Sequence, residues 1–106
     1  MVVVFLADGF EEVEALAPVD LMRRAGLDVK MAGVTGREVT GSHGITVKTD
    51  MAAEDVDVAA LEAMVLPGGL PGTHSLEASP VVQACIDGCV KTGKLVSAIC
   101  AAPSVL

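Results

Sequence analysis

The sequence predicts an α/β fold with a mostly parallel sheet, and three observations support that class. Val2 to Ala7 is a continuous apolar run rich in β-branched residues, which is typical of a strand buried on both faces. A helical segment and a second apolar run, Asp28 to Val34, follow it and complete a βαβ unit. Two further apolar runs, Ala63 to Leu66 and Lys94 to Ile99, flank a second helical segment. This alternation is typical of α/β proteins.

Length and composition exclude several classes of protein. The 106 residues allow one domain, and 52 % of them are hydrophobic, which excludes a disordered chain. The net charge is −7, so the chain lacks the basic surface that binds nucleic acid. Two Phe and no Trp or Tyr also leave few side chains that could stack on bases.

The sequence predicts a cytoplasmic protein with no membrane partner. No apolar run approaches the ~18 residues that a membrane span requires. The apolar start, Met1 to Ala7, is too short for a signal peptide and lacks a basic leader. Cytoplasmic thiols stay reduced, and the spacing of Cys85, Cys89 and Cys100 matches no zinc pattern, so we predict no metal site.

The first helix is predicted from about Phe10 to Ala25. Asp8 and Glu11 have the spacing of a capping box at its start. Pro18 lies inside it and is expected to kink the helix or to begin a second piece. Gly26 is a natural C-terminal stop.

The middle of the chain predicts a hairpin and then a less regular segment. Glu38 to Thr40 and Ile45 to Thr49 are short strand candidates on either side of Gly41 to Gly44. Met51 to Leu61 is acidic and rich in Ala, and we expect a helical turn and a loop there.

The second helix is predicted to begin at Ser79-Pro80, with Ser as N-cap and Pro at the first helical position. Its apolar face carries Cys85 and Cys89 at helical spacing, and Gly93 ends it. We interpret both cysteines as core residues, since cysteines at i and i+4 of a helix fit disulfide geometry poorly.

The strand from Lys94 to Ile99 leads directly into Cys100, which small residues and Pro103 follow. This pattern predicts a nucleophile elbow, a sharp turn between strand and helix that exposes the side chain. The helix N-terminus would favour the thiolate, which is the reactive form. The alternative is a free cysteine buried as a small hydrophobic residue.

The chain ends on apolar residues just as that helix begins. We therefore expect residues 1–106 to be the N-terminal portion of a single domain, ending just after the elbow. The alternative is that a partner copy covers the strand edge and the start of the helix.

Two more segments could contribute to a site with Cys100. Gly68 and Gly69 end a predicted strand and could leave N–H groups open to a ligand oxygen, although a plain turn is the alternative. Glu14 lies between apolar neighbours in the first helix, where a desolvated carboxyl group could stay protonated and donate to a thiolate. Glu11 and Glu12 are explained by the helix dipole alone.

Together these residues resemble the ThiJ/PfpI superfamily, which shares its fold with class I glutamine amidotransferases. The closest similarity is to the branch of the parkinsonism-associated deglycase. The resemblance covers the whole chain and rests on four motifs, namely Ala7-Asp-Gly-Phe-Glu-Glu-Val-Glu14, Pro18-Val-Asp-Leu-Met-Arg-Arg-Ala-Gly26, Val65-Leu-Pro-Gly-Gly69 and Ala98-Ile-Cys-Ala-Ala-Pro103.

The resemblance implies a flavodoxin-like three-layer sandwich that is usually a homodimer. It also implies that Cys100 is the reactive cysteine, with Glu14 as its carboxyl partner. Gly68, Gly69 and the backbone of Ala101 would line the oxyanion site. The G-x-C-x-G glycines of the amidotransferases are absent, which argues against amide transfer.

Family members often place a histidine near the cysteine, from the second half of the fold. Neither His43 nor His74 matches that histidine by position, and a solvated loop is the default interpretation for both. In this branch an arginine on the hairpin approaches the partner's cysteine. His43 occupies a similar place, and the change puts that role in doubt.

The implied activity is cofactor-independent conversion of a small carbonyl substrate, as in glyoxalases and deglycases. The alternatives are a redox sensor or chaperone-like stress protein acting through oxidation of Cys100, and a peptidase. A further alternative is an inactive fragment, or one piece of a nicked protein. The active form would then need a companion chain or the C-terminal half of the domain.

Overall fold

A computed structural model describes all residues from 1 to 106. The strands are β1 (Val2–Leu6), β2 (Val29–Gly33), β3 (Glu38–Thr40), β4 (Thr46–Lys48), β5 (Met51–Ala52), β6 (Ala63–Leu66) and β7 (Leu95–Ala98). The α-helices are α1 (Glu12–Arg24), α2 (Gly72–Ala78) and α3 (Pro80–Lys91). Short 3₁₀ turns lie at Ala53–Asp55, Val58–Ala60 and Ala102–Val105.

Five strands form one parallel sheet in the order β5-β2-β1-β6-β7, and β3 and β4 form a separate antiparallel hairpin. The predicted α/β class with a mostly parallel sheet is therefore confirmed. Parallel pairing arises because each connection returns to the same end of the sheet through a helix or a longer crossover.

The sheet is the middle of three layers. Val2, Val4 and Leu6 of β1 lie in one core cluster with residues of α1. Val3 and Phe5 lie in the other cluster with residues of α3. Every residue of β1 is buried, because successive side chains point to opposite faces and a helix covers each face.

The start of α1 differs from the predicted capping box. Glu11 is the N-cap, and its Oε2 accepts a hydrogen bond from the N–H of Glu14 at 3.0 Å. Asp8 instead accepts from the N–H of Thr40 at 3.0 Å and so fastens the hairpin to the loop after β1. Pro18 begins no second piece, because α1 continues as one helix through it. Gly26, with φ +86°, ends the helix turn as expected.

The second half contains two elements that the sequence did not predict. The segment from Met51 pairs with β2 as the short strand β5 before it forms 3₁₀ turns. Helix α2 forms immediately after the Gly-rich loop, so His74 lies on a helix and not on a loop. The Ser79-Pro80 start is confirmed, since Oγ of Ser79 accepts from the N–H of Val82 at 3.3 Å.

The topology brings three loops to one end of the sheet. Strands β1, β6 and β7 are neighbours and run in the same direction, so the loops that follow them meet at their carboxyl ends. Ligand sites of open α/β sheets lie in this position. None of the helices is both long enough and apolar enough to cross a membrane.

Candidate active site

Cys100 is the second residue after the last strand, β7, and its backbone is strained. Its φ of +60° makes it the only non-glycine residue in the left-handed region. This conformation is energetically unfavourable for any residue that has a Cβ atom. It occurs disproportionately at functional sites. The side chain is exposed. The predicted sharp turn is therefore present, although a 3₁₀ turn at Ala102–Val105 follows it where a helix start was expected.

Gly68 is the point at which Glu14 and Cys100 meet. A Cβ atom built on Gly68 would lie 2.5 Å from Oε1 of Glu14 and 2.8 Å from Cβ of Cys100. Both distances are too short for any larger residue, so the absence of a side chain lets the two functional groups border the same space. The structure thus places Oε1 of Glu14 and Cβ of Cys100, two residues that the sequence identified separately, beside the same glycine.

The backbone donors at this point have different roles. The N–H of Gly68 donates to Oε1 of Glu14 at 3.0 Å, so this donor orients the carboxyl group. The N–H groups of Gly69 and Ala101 have no partner within the chain. Gly69 also has φ +97°, and a Cβ there would collide with the loop after β1. Of the three predicted oxyanion residues, Gly69 and Ala101 therefore retain available donors.

Cys85 and Cys89 have a different environment from Cys100. Both lie on the buried face of α3 and belong to the core, as predicted. Burial raises the pKa of each thiol, and the neighbouring Cys89 raises that of Cys85 further. Lys94 lowers the pKa of Cys89, but the effect of burial is larger. These thiols are poor nucleophiles, because only the thiolate attacks.

A second polar cluster, which the sequence did not predict, lies between α1 and the hairpin. The side chain of Glu12 is buried, and its Oε2 accepts from the N–H groups of His43 at 2.9 Å and Ile45 at 3.2 Å. Nδ1 of His43 lies 3.1 Å from Oε1 of Glu12 and 3.8 Å from Oε1 of Glu11. Burial raises the pKa of Glu12, but the hydrogen bonds to its carboxylate outweigh this and lower the pKa overall.

These three side chains are also the one group whose ligand atoms lie close enough to hold a metal ion, within 4.8 Å of one another. The hydrogen bonds to Glu12 already account for the arrangement, so we assign no metal role to it. No sequence signal could have revealed the cluster, since Glu12 and His43 are 31 residues apart.

A family model described as the DJ-1/PfpI family matches residues 1–106. The Parkinson disease protein 7 homolog of Danio rerio is 40% identical over 105 residues, which cover 97% of this chain and 56% of that protein. Deglycase TK1284 of Thermococcus kodakarensis is 36% identical over 106 residues, which cover 99% of this chain and 63% of that protein. The glutathione-independent glyoxalase DJR-1.2 of Caenorhabditis elegans is 36% identical over 96 residues, which cover 91% of this chain and 51% of that protein.

Solved structures of relatives share the fold. Oxidised DJ-1 of Toxoplasma gondii matches with a TM-score of 0.95 and 36% identity, covering 99% of this chain and 58% of that one. The chain spans roughly half the length of the relatives it matches. Since the family model matches every residue, and relatives of this fold match nearly the whole chain, the predicted resemblance is confirmed and the protein belongs to the DJ-1/PfpI family.

Proposed function

We propose that the complete domain converts small 2-oxoaldehydes to 2-hydroxy acids, with Cys100 as nucleophile and Glu14 as acid and base. The observation that carries this proposal is the meeting of Glu14 and the strained Cys100 at Gly68. Two relatives support the substrate class, since one is named a deglycase and another a glutathione-independent glyoxalase.

The first step is addition. The Cys100 thiolate attacks the aldehyde carbon of a substrate such as methylglyoxal, and a C–S bond forms as the carbonyl π bond breaks. The resulting oxyanion takes a proton and becomes a hemithioacetal. The N–H groups of Gly69 and Ala101 would stabilise the developing negative charge, because both donors are unpaired within the chain.

The second step moves a proton between neighbouring carbons. Glu14 removes the proton from the former aldehyde carbon, which gives an enediol as the neighbouring carbonyl oxygen gains a proton. Glu14 then returns its proton to the adjacent carbon while the hydroxyl on the first carbon loses its own, which leaves a thioester of Cys100. Water then hydrolyses the thioester, releases the 2-hydroxy acid and restores the thiol. The overall change is an isomerisation plus one water, so no external oxidant, reductant or cofactor is needed.

A redox-sensor function is the second candidate, and the exposure of Cys100 favours it. A cytoplasmic location, which the sequence predicts, would keep the thiol reduced until peroxide appears. The thiolate would attack one peroxide oxygen, the O–O bond would break, and hydroxide would leave. A second peroxide would carry the sulfenic acid to sulfinic acid.

The remaining half of the domain is a proposed partner of this chain. Strand β7 is an edge strand of the sheet. Leu95 in this strand is 66% exposed, and Ile99, which follows the strand, is 48% exposed. An open edge with apolar side chains is a surface that further strands and helices would cover. We assign this role to a C-terminal segment or a companion chain that completes the domain.

We also propose a homodimer in which a second copy covers the outer face of α1. Val13 is 70% exposed and Ile45 of the hairpin is 52% exposed, and both line one groove on this face. Asp20 and Arg24 on α1 form an exposed ion pair, which provides both signs of charge. A surface with both signs suits a two-fold interface, in which each patch meets its own copy.

In the full-length polypeptide, Cys100→Ser and Glu14→Gln should each lower lactate formation from methylglyoxal by roughly 100-fold or more, since each removes a reacting group. Glu77→Gln, an exposed carboxyl group on α2, is the matched control and should keep full activity. Unchanged lactate formation in either active-site variant would refute the carbonyl mechanism.

Alkylation with iodoacetamide tests the difference between the three cysteines. At neutral pH, Cys100 should react first because it is exposed, whereas the buried Cys85 and Cys89 should react far more slowly. Their raised pKa leaves less thiolate at any pH below that pKa, so their labelling should increase only at alkaline pH. Peptide mapping by mass spectrometry measures the three rates, and equal rates would contradict this assignment.

Mild peroxide followed by peptide mapping separates the two candidate functions. We expect Cys100 to gain two oxygen atoms while Cys85 and Cys89 stay unmodified, because burial protects them. Oxidation at Cys100 without any turnover of methylglyoxal would favour the sensor. If the buried pair oxidises before Cys100, the sensor function is wrong.

Val13→Glu should shift the full-length protein from dimer to monomer in analytical ultracentrifugation, because it would bury a charge in the proposed interface. Leu27→Glu is the control, since this leucine is also exposed but lies beyond α1. A Val13→Glu variant that sediments as a dimer would exclude this face as the interface.

A further inference from the structure

Glu12 is a buried carboxylate for which the proposed chemistry has no use. Its side chain is 5% exposed, and it lies in the first turn of α1. Burying a charged group is unfavourable unless hydrogen bonds compensate for the lost water. Here the compensation comes from a different element, the turn between β3 and β4.

The turn from Gly41 to Ile45 wraps around this carboxylate. The N–H groups of His43 and Ile45 converge on Oε2, which is the arrangement of a backbone anion site. Gly41 is buried against the same group, and a Cβ there would collide with Cδ of Glu12. The positive end of α1 also favours the ionised carboxylate, in agreement with the lowered pKa of Glu12.

The loop after β1 lies between this turn and the candidate active site. On the hairpin side, the N–H of Ser42 donates to the carbonyl of Phe10 at 2.8 Å. On the active-site side, the N–H of Glu11 donates to the carbonyl of Gly68 at 2.9 Å. A displacement of the hairpin would therefore move the loop after β1, and through it Gly68, which lies beside Glu14 and Cys100.

We propose that Glu12 is a positioning residue, which holds the hairpin turn against the loop after β1 and thereby sets the place of Gly68 beside Cys100. The inference rests on the proposed function only in treating Cys100 as the reactive group. Glu12 itself touches neither the thiol nor the carboxyl group of Glu14 through any hydrogen bond.

The test uses Glu12→Ala in the full-length protein, with amide hydrogen exchange and the pH profile of Cys100 alkylation as readouts. Exchange should accelerate about tenfold or more at His43 and Ile45, because hydrogen bonds to a charged acceptor are lost. The amides of Glu11 and Gly68 should also accelerate, and the alkylation profile should shift. Neither readout requires turnover, so the inference can hold or fail independently of the carbonyl mechanism.

Glu12→Gln should restore both readouts, because its carbonyl oxygen can accept from both backbone donors. If Glu12→Ala does not fold, Gly41→Ala replaces it: its methyl group would press against the carboxylate of Glu12 and should cause the same faster exchange and the same shift of the alkylation profile. Glu38→Ala, an exposed carboxylate on the same hairpin, should change nothing.

Two results would overturn the inference. In the first, Glu12→Ala loosens His43 and Ile45 but leaves the Gly68 amide and the Cys100 profile unchanged, so the anchor would be local to the hairpin. In the second, Glu12→Gln behaves like Glu12→Ala, so the hydrogen bonds would not explain the effect.

Discussion

The candidate site depends on one steric constraint, the lack of room for a side chain at position 68. Any Cβ there would press on both Oε1 of Glu14 and Cβ of Cys100. The same residue donates its N–H to Glu14 and accepts from the N–H of Glu11. Gly68 therefore orients the carboxyl group of Glu14 and links two loops through its backbone N–H and carbonyl groups. Its lack of a side chain leaves room for Cys100 beside them.

The parallel sheet makes that constraint possible. Because β1, β6 and β7 lie side by side and run the same way, the start of α1 that carries Glu14 and the loops that carry Gly68 and Cys100 meet at one edge. The two core clusters hold these strands from opposite faces, with α1 on one side and α3 on the other. Stable packing thus supplies the rigid frame on which a strained cysteine can persist.

Residues of the same type have different roles in this protein because their environments differ. Three glutamates at the start of α1 have three sets of contacts: Glu11 caps the helix, Glu12 binds the hairpin, and Glu14 accepts from Gly68 beside Cys100. The cysteines divide in the same way. Cys100 is exposed at a turn, whereas burial raises the pKa of Cys85 and Cys89 and makes them inert.

The sequence by itself determined the features that depend on neighbouring residues. Apolar runs predicted β1, β2, β6 and β7, and the Ser79-Pro80 pair predicted the start of α3, because these signals act within a few residues. Only the tertiary structure decided the partner of Asp8, the burial of Glu12 and its contact with His43. Such contacts join segments about 30 residues apart, and they form only once the sheet and its helices have closed around them.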